Sequence, residues 1–414
     1  MPATQPSQAI LTFEDARHVV EEQASQLRPH GKELLELIDG AGQVLAEPVN
    51  ADRNFPPFPR ATRDGYAVRA VDVAQVPAQL EIVGEVKAGS SLDPGFQLGP
   101  GQAVFIMTGA AAPAGADAVV MVEYTASEGS RVTVNRTVAP GENIVPTGAE
   151  AKRGARLLNP GLRLDHAAIA IAASVGRSRL LFYAKPQVAI LSTGDEVVDI
   201  DVPPGPYQIR NSNTYSVAAQ IRMAGGEPML LPIAPDEPER LRELITDGLE
   251  ADLLLLTGGV SMGKYDLVEQ VLADFKAEFF FTGVQIQPGK PLVFGRVPNG
   301  DSKKYFFGLP GNPVSTMVTF ELFVRPVIDA LAGAAPQRLV FLRAQLKSEI
   351  KTKTGLKRFL PATLSGEFEQ AEVELIPWQG SGDIAATARA NCYVVIPPDR
   401  EKIAAGEWVS VLRK

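Results

Sequence analysis

The chain has 414 residues, 45% of them hydrophobic and 21% charged, which is the balance of a soluble globular protein and excludes a fibrous or disordered one. That length exceeds one ordinary core, so about two to four domains are expected. A formal charge of −8 excludes the clustered basic face that nucleic acid requires, but leaves anionic small molecules open because they need only a local patch.

Residues 1 to 10 read as a loose tail with neither a basic start and apolar core nor a transit-peptide bias, and no apolar run approaches about 18 residues. A cytoplasmic protein without a membrane span is expected. Thr12 with Asp15 resembles a capping arrangement, and Val19, Val20 and Leu27 follow at roughly helical spacing, which predicts a first helix. The prolines of "NFPPFPRATRDGYAV" argue against regular helix or a central strand there. From about 77 to 140, "LEIVGEV", "AVFIMTG", "AVVMVEY" and "RVTVNRTV" predict a small all-β unit. "LDHAAIAIAASVG" returns to helical spacing, with Gly176 as its stop.

Residues 186 to 335 change rhythm. "QVAILSTG", "EPMLLPIA" and "ADLLLLTGG" are short buried strands separated by helical periodicity, which predicts parallel pairing in a three-layer α/β domain with ligands at the carboxyl ends of the strands. The last piece, 336 to 414, carries "RLVFLRAQL", "KRFLPATL", "EVELIPW", "NCYVVIP" and "EWVSVL", the makings of a small barrel or sandwich of about five strands.

One cysteine, Cys392, rules out an intrachain disulfide and a thiolate zinc cluster, and His18, His30 and His166 show no ligand spacing. Any chemistry therefore falls to carboxylates, hydroxyls and backbone amides. In "LSTGDE", Gly194 turns the chain after Ser192 and Thr193, so Asp195 and Glu196 stand at a strand end, as helix caps or as ligands of a divalent metal beside a phosphate. In "TGGVSMGKYD", Gly258, Gly259 and Gly263 let backbone N–H groups face an anion, and Ser261 adds a donor. Asp266 beside that anion would repel it without a cation between them, which points to Mg²⁺. "GLPGNPVS" fixes a turn at Pro310 to Pro313, with Asn312 as an expected helix cap at an N-terminus that would also receive an anionic or pterin-like ligand. Lys290 in "QPGKPLVFG" is either a cation facing the same pocket or a solvated charge. Asp64 in "RATRDGYAVRA" and Thr108 and Gly109 at a strand end carry no assignment alone.

Taken together, "DGYAVR" (64–69), "IMTGA" (106–110), "GADAVVMVE" (115–123), "GENI" (141–144), "STGDE" (192–196), "TGGVSMGKYD" (257–266), "PGKP" (288–291) and "LPGNPVS" (309–315) resemble the molybdenum insertase family, molybdopterin molybdenumtransferase, over nearly the whole chain. The resemblance implies a multidomain α/β plus β fold. It has an elongated first domain from residues 1–50 and 150–185, an inserted β domain over 51–149, a molybdopterin-binding α/β domain over 186–335 similar to molybdopterin adenylyltransferase, and a C-terminal barrel-like β domain over 336–414.

It further implies a homodimer with a cleft shared between subunits, and transfer of molybdenum from molybdate to molybdopterin with Mg²⁺-dependent cleavage of adenylyl-molybdopterin and release of AMP. Glu196, Asp236 and Asp266 would be metal-site acids, with Asp64 and Thr108 contributing to the catalytic cleft. Thr193, Gly194, Asp195, Gly258, Gly259, Ser261, Gly263, Lys290, Pro310, Asn312, Ser315 and Ser381 would surround the substrate. Partners would be an adenylyltransferase and the enzymes that accept the cofactor. Departures from the family pattern are Ala61 and Arg63 for serine and methionine, Glu150 for aspartate, and Leu356 for an arginine associated with molybdate. Those at Arg63 and Leu356 motivate one alternative, a non-catalytic molybdopterin-binding or scaffold homologue; a further alternative, an adenylyltransferase, suits the α/β domain alone.

Overall fold

The computed structural model describes residues 9–90, 95–259, 267–299 and 302–414. The first helix, α1 (Phe13–Gln26), starts where its sequence predicts: Thr12 Oγ1 accepts from the Asp15 N–H at 3.1 Å and donates to the Asp15 carboxylate at 2.8 Å. Its buried face, Phe13, Ala16, Val20 and Ala24, enters the same core as the α/β sheet, with Phe13 against Phe323 and Phe359. Thr12→Ala removes the cap and is expected to lower stability by about 1 kcal/mol in urea unfolding, with Thr12→Asp close to the parent protein.

Two distant stretches then share one small core. Lys32–Glu36 pairs antiparallel with Arg179–Tyr183, and Val49–Asn50 with Arg156–Leu158. α2 (His166–Ser174), capped by Asp165 accepting from the Ala168 N–H at 2.8 Å, covers Leu45, Val49, Leu164, Leu180 and Phe182. Gly176 ends it at φ +73°.

Between those stretches lies a six-stranded sheet in the order Ala118–Met121, Gly65–Val68, Gln102–Ile106, Ala78–Val86, Arg131–Val134, Thr125–Glu128. Gly65–Val68 is an interior strand, against the expectation that the proline-rich segment holds none. The prolines stop at Pro59, and beyond them Gly65 lets the backbones close: a Cβ there would stand 1.9 Å from the Val120 carbonyl oxygen.

The α/β domain has the sheet order Glu227–Leu230, Gln187–Ser192, Leu253–Thr257, Ser302–Leu309, Val293–Asn299, Glu278–Phe281. The first four strands are parallel, as expected. The last two join by antiparallel pairing, Val293–Asn299 running against both of its neighbours, which corrects the all-parallel expectation: the hairpin from Val293 to Leu309 needs no helical crossover. Residues alternate between two cores. Val188, Ile190, Leu253 and Leu255 face α1, α3 (Ser212–Met223) and the helical run that begins with α6 (Pro313–Thr319), while Ala189, Leu191, Leu254 and Leu256 face α4 (Pro238–Gly248) and α5 (Leu267–Asp274). Burial on both faces explains the unbroken run of leucines. The registers Ser192↔Thr257 and Thr257↔Leu309 bring three carboxyl ends side by side.

Beyond it, all five expected C-terminal strands form a closed barrel in the order Lys357–Ser365, Glu372–Leu375, Phe341–Leu346, Trp408–Arg413, Cys392–Ile396, the last pairing back to the first. Cys392 is a free buried thiol, and burial pushes its pKa up to about 11. Ile286–Gln287 of the α/β domain adds a parallel strand to Lys357–Arg358, so barrel and α/β domain are joined through backbone. No described helix is long and apolar enough to cross a membrane.

Candidate active site

A cavity of about 730 Å³ opens at those three aligned carboxyl ends. Its floor is polar and buried: Ser192 Oγ lies 2.8 Å from both Thr214 Oγ1 and Thr257 Oγ1 and donates to Asn211 Oδ1 at 3.2 Å, while Asn211 Nδ2 donates to Thr214 Oγ1 at 3.0 Å. One hydroxyl donor and two lone pairs meet three partners, so the hub is fully used. Ser192→Ala strands buried hydroxyls and is expected to lower stability by about 1–3 kcal/mol, seen as a lower urea midpoint at unchanged slope.

The glycine loop owes its composition to the neighbouring turn. Gly258 (φ +87°) and Gly259 (φ +62°) lie against Thr193, where a Cβ would meet the Thr193 carbonyl oxygen at 2.5 Å and Oγ1 at 2.7 Å respectively. Thr193 N–H donates to the Thr257 carbonyl at 3.0 Å, which locks the two turns together. Gly194, at φ +131°, lets the Glu196 carboxylate fold back over it, since a Cβ would stand 2.5 Å from Glu196 Oε2. Glu196 lines the cavity; Asp195 Oδ1 instead accepts from the Asp236 N–H at 3.1 Å and ties down the adjacent loop. Partial burial, then the charges of Asp195 and Glu196, raise the Asp236 carboxyl above its usual range. Among the described residues no three acids, histidines or cysteines converge closely enough to hold a metal.

Of the other expected residues, Pro310, Asn312 and Ser315 line the cavity. Asn312 occupies the cap position of α6 but its side chain makes no capping hydrogen bond, which corrects that expectation; Thr316 N–H binds its carbonyl instead, at 3.0 Å. Lys290 is exposed and absent from the wall, where Pro291 stands in its place. Ser381 acts through its carbonyl, which accepts from the Val314 N–H at 3.0 Å and brings Gly382 and Ile384 of the barrel domain to the rim. Asp64 and Thr108 do not line this cavity within one chain, yet they touch: the Thr108 N–H donates to Asp64 Oδ1 at 2.6 Å, and Thr108's backbone and hydroxyl hold the Asp64 carboxyl below its usual range. Ser261, Gly263 and Asp266 lie outside the described residues. Of the departures, Ala61 is buried, Arg63 exposed, and buried Arg358, two residues after Leu356, donates from Nε to Gln287 Oε1 at 2.8 Å.

Sequence reasoning missed the stretch Ile209 to Asn213, which forms one wall. Its signal was present, because Asn211 and Ser212 are a polar pair at a helix start, and Asn211 does cap α3 by accepting from the Thr214 N–H at 3.1 Å.

Comparison with known proteins matches this arrangement in consecutive parts. Residues 11–176 match the MoeA N-terminal region (domain I and II), 189–330 a probable molybdopterin binding domain, and 343–413 the MoeA C-terminal region (domain IV). A molybdopterin molybdenumtransferase of Nostoc sp. is 38% identical over 92% of this chain and 88% of its own length. One of Haemophilus influenzae is 33% identical over 97% and 98%. The crystal structure of the molybdopterin biosynthesis moeA protein of Pyrococcus horikoshii superimposes with a TM-score of 0.77 at 28% identity, covering 98% of this chain and all of that one (100%). Matched from its first helix to its last strand in a single order, the chain belongs to the MoeA family.

Proposed function

We propose that the chain is a molybdopterin molybdenumtransferase that moves molybdenum from molybdate onto the dithiolene of molybdopterin and cleaves adenylyl-molybdopterin with release of AMP. The observation that carries it is a glycine turn, a row of side-chain donors and the Glu196 carboxylate around one cavity at a sheet edge, with Asp195 and Asp236 paired beside it. Backbone N–H groups of Gly258 and Gly259 would receive the diphosphate, and the Asn312 amide and Ser315 hydroxyl would orient the attached ligand.

Carboxylates are hard oxygen donors that suit Mg²⁺; partial burial first, and then the charges of Asp195 and Glu196, raise the Asp236 carboxyl, and it is the second contribution that a divalent cation would offset. Glu196 and Asp236, with Asp266, would hold it. Bound there, the ion would neutralise charge developing on the cleaved anhydride. Asp195 keeps the Asp236 loop in register through its backbone contact, and Gly194 leaves room for Glu196 to swing. In a homodimer, Asp64 and Thr108 would complete the cleft from the partner subunit, which gives their paired geometry a role although they stand apart from the cavity of their own chain.

Purified protein supplied with adenylyl-molybdopterin, molybdate and Mg²⁺ is expected to release AMP, and Asp266→Ala to abolish this with the oligomer intact. Binding of molybdopterin without AMP release would instead identify a non-catalytic pterin-binding protein. Size-exclusion with light scattering checks the dimer.

A further inference from the structure

Among the described residues of the cavity wall two side chains carry charge, Glu196 and Arg210. They stand on neighbouring backbone, since the Ile209 N–H donates to the Glu196 carbonyl at 2.8 Å and the Asn211 N–H to the Val198 carbonyl at 2.8 Å. Opposite charges on adjoining strands ordinarily pair, yet neither side chain has an ion-pair partner among the described residues. The chain keeps them apart. Glu196 folds back over Gly194, while Arg210 Nε donates to the Ile200 carbonyl at 3.0 Å, so the two groups are drawn to opposite ends of the segment 194–200.

That arrangement displays a cation at the wall instead of neutralising it. An arginine free in solvent gives up side-chain entropy when it grips a ligand, whereas the Nε contact to Ile200 already fixes this guanidinium and leaves both terminal amino groups as donors. Two amino groups side by side match two oxygens of a tetrahedral oxyanion, a fork that the single ammonium of a lysine does not reproduce. The wall behind it is fixed as well. Asn211 caps α3 by accepting from the Thr214 N–H, and Asn213 Nδ2 donates to the Gly311 carbonyl at 2.7 Å, which ties the start of that helix to the Pro310–Pro313 turn. Glu196 repels an anion entering the cavity, so on the described wall the attractive side-chain charge is that of Arg210.

We propose that Arg210 is a substrate-binding residue whose guanidinium takes two oxygens of a tetrahedral oxyanion in this cavity, either a phosphate group of the ligand or molybdate. The proposal rests on the functional reading above, in which both oxyanions enter the site. Glu196 then serves a cation and Arg210 an anion, and their separation lets each charge meet its own partner.

Calorimetry on the full chain with pyrophosphate and with molybdate, both in Mg²⁺ buffer, separates the two sources. Arg210→Ala is expected to weaken one of the two anions about 30-fold and to leave the other near its parent value, and the anion lost names the occupant. Arg210→Lys keeps the charge without the fork, and is expected to bind that same anion at least about 5-fold more weakly than the parent protein. Because the side chain is exposed, both variants are expected to keep the parent urea midpoint. Equal losses for both anions, no loss for either, parent-level affinity in Arg210→Lys, or a parent protein that takes up neither anion would each overturn the proposal. In turnover, the KM that rises in Arg210→Ala, for adenylyl-molybdopterin or for molybdate, is expected to match the anion lost in binding, with kcat little changed. Failure of the parent protein to release AMP while it still binds these anions would count against the functional reading alone, because the binding comparisons decide Arg210 without turnover.

Discussion

Gly258→Ala is expected to destabilise the protein by about 2–5 kcal/mol and to abolish binding of the diphosphate-bearing ligand. Two costs combine. A side chain at φ +87° carries about 1–2 kcal/mol of left-handed strain, and its Cβ would press to 2.5 Å from the Thr193 carbonyl oxygen. Relief requires moving one backbone against another, and overpacking of that kind adds about 1–3 kcal/mol. Gly176→Ala is the control, since its φ of +73° imposes the same strain with no atom within 4 Å. Urea unfolding is expected to show the small loss for Gly176→Ala and the larger one for Gly258→Ala. Equal losses would mean that the clash with Thr193 does not matter. The binding defect follows from the same contact, because Thr193 is locked to Thr257 through its N–H and cannot retreat without opening the turn.

Periodicity made the layers legible. The run Leu253 to Leu256 announced a strand buried on both faces, and the five C-terminal strands alternate clearly enough to be read individually. Composition also pointed to where the cavity opens, since glycines and hydroxyls at strand ends are hard to place anywhere else in such a sheet. What escaped was set by partners distant in sequence. The helix at Phe13 was plain, but nothing local says that Phe13 packs on Phe323 and Phe359. Gly65–Val68 was obscured by nearby prolines, although its central position depends on a carbonyl of Val120 that lies far along the chain. Asn213 gave no signal of its own, because an asparagine near a helix start is ordinary until its partner at Gly311 is known. Lys290 illustrates the converse: a cation on a Pro-Gly turn reads equally as a ligand group or a solvated charge, and its side chain is exposed outside the cavity wall of its own chain.

Asp236→Asn is expected to lower AMP release by about 100-fold while making the ligand-free protein more stable at neutral pH. The stability sign follows from the raised carboxyl. When a carboxylate titrates higher in the folded chain than in the unfolded one, the folded state binds more protons between the two values, and stability falls as pH rises through that window. Above the window the ionised Asp236 is a standing cost, from partial burial first and from Asp195 and Glu196 second. Below about pH 4 both states are protonated and the cost is gone. The gain from Asp236→Asn is therefore expected at pH 7 and expected to vanish in acid, which paired urea titrations at pH 7 and pH 3.5 (roughly half a unit below the ordinary carboxylate value) measure directly. Mg²⁺ supplies the second axis. In the parent protein the ion is expected to raise the thermal midpoint by relieving the repulsion, and in Asp236→Asn that shift is expected to shrink. A variant that lost activity without gaining stability would make Asp236 a structural residue. One that gained stability and kept its activity would remove it from the cation site, and with it the reason to keep its charge beside those of Asp195 and Glu196.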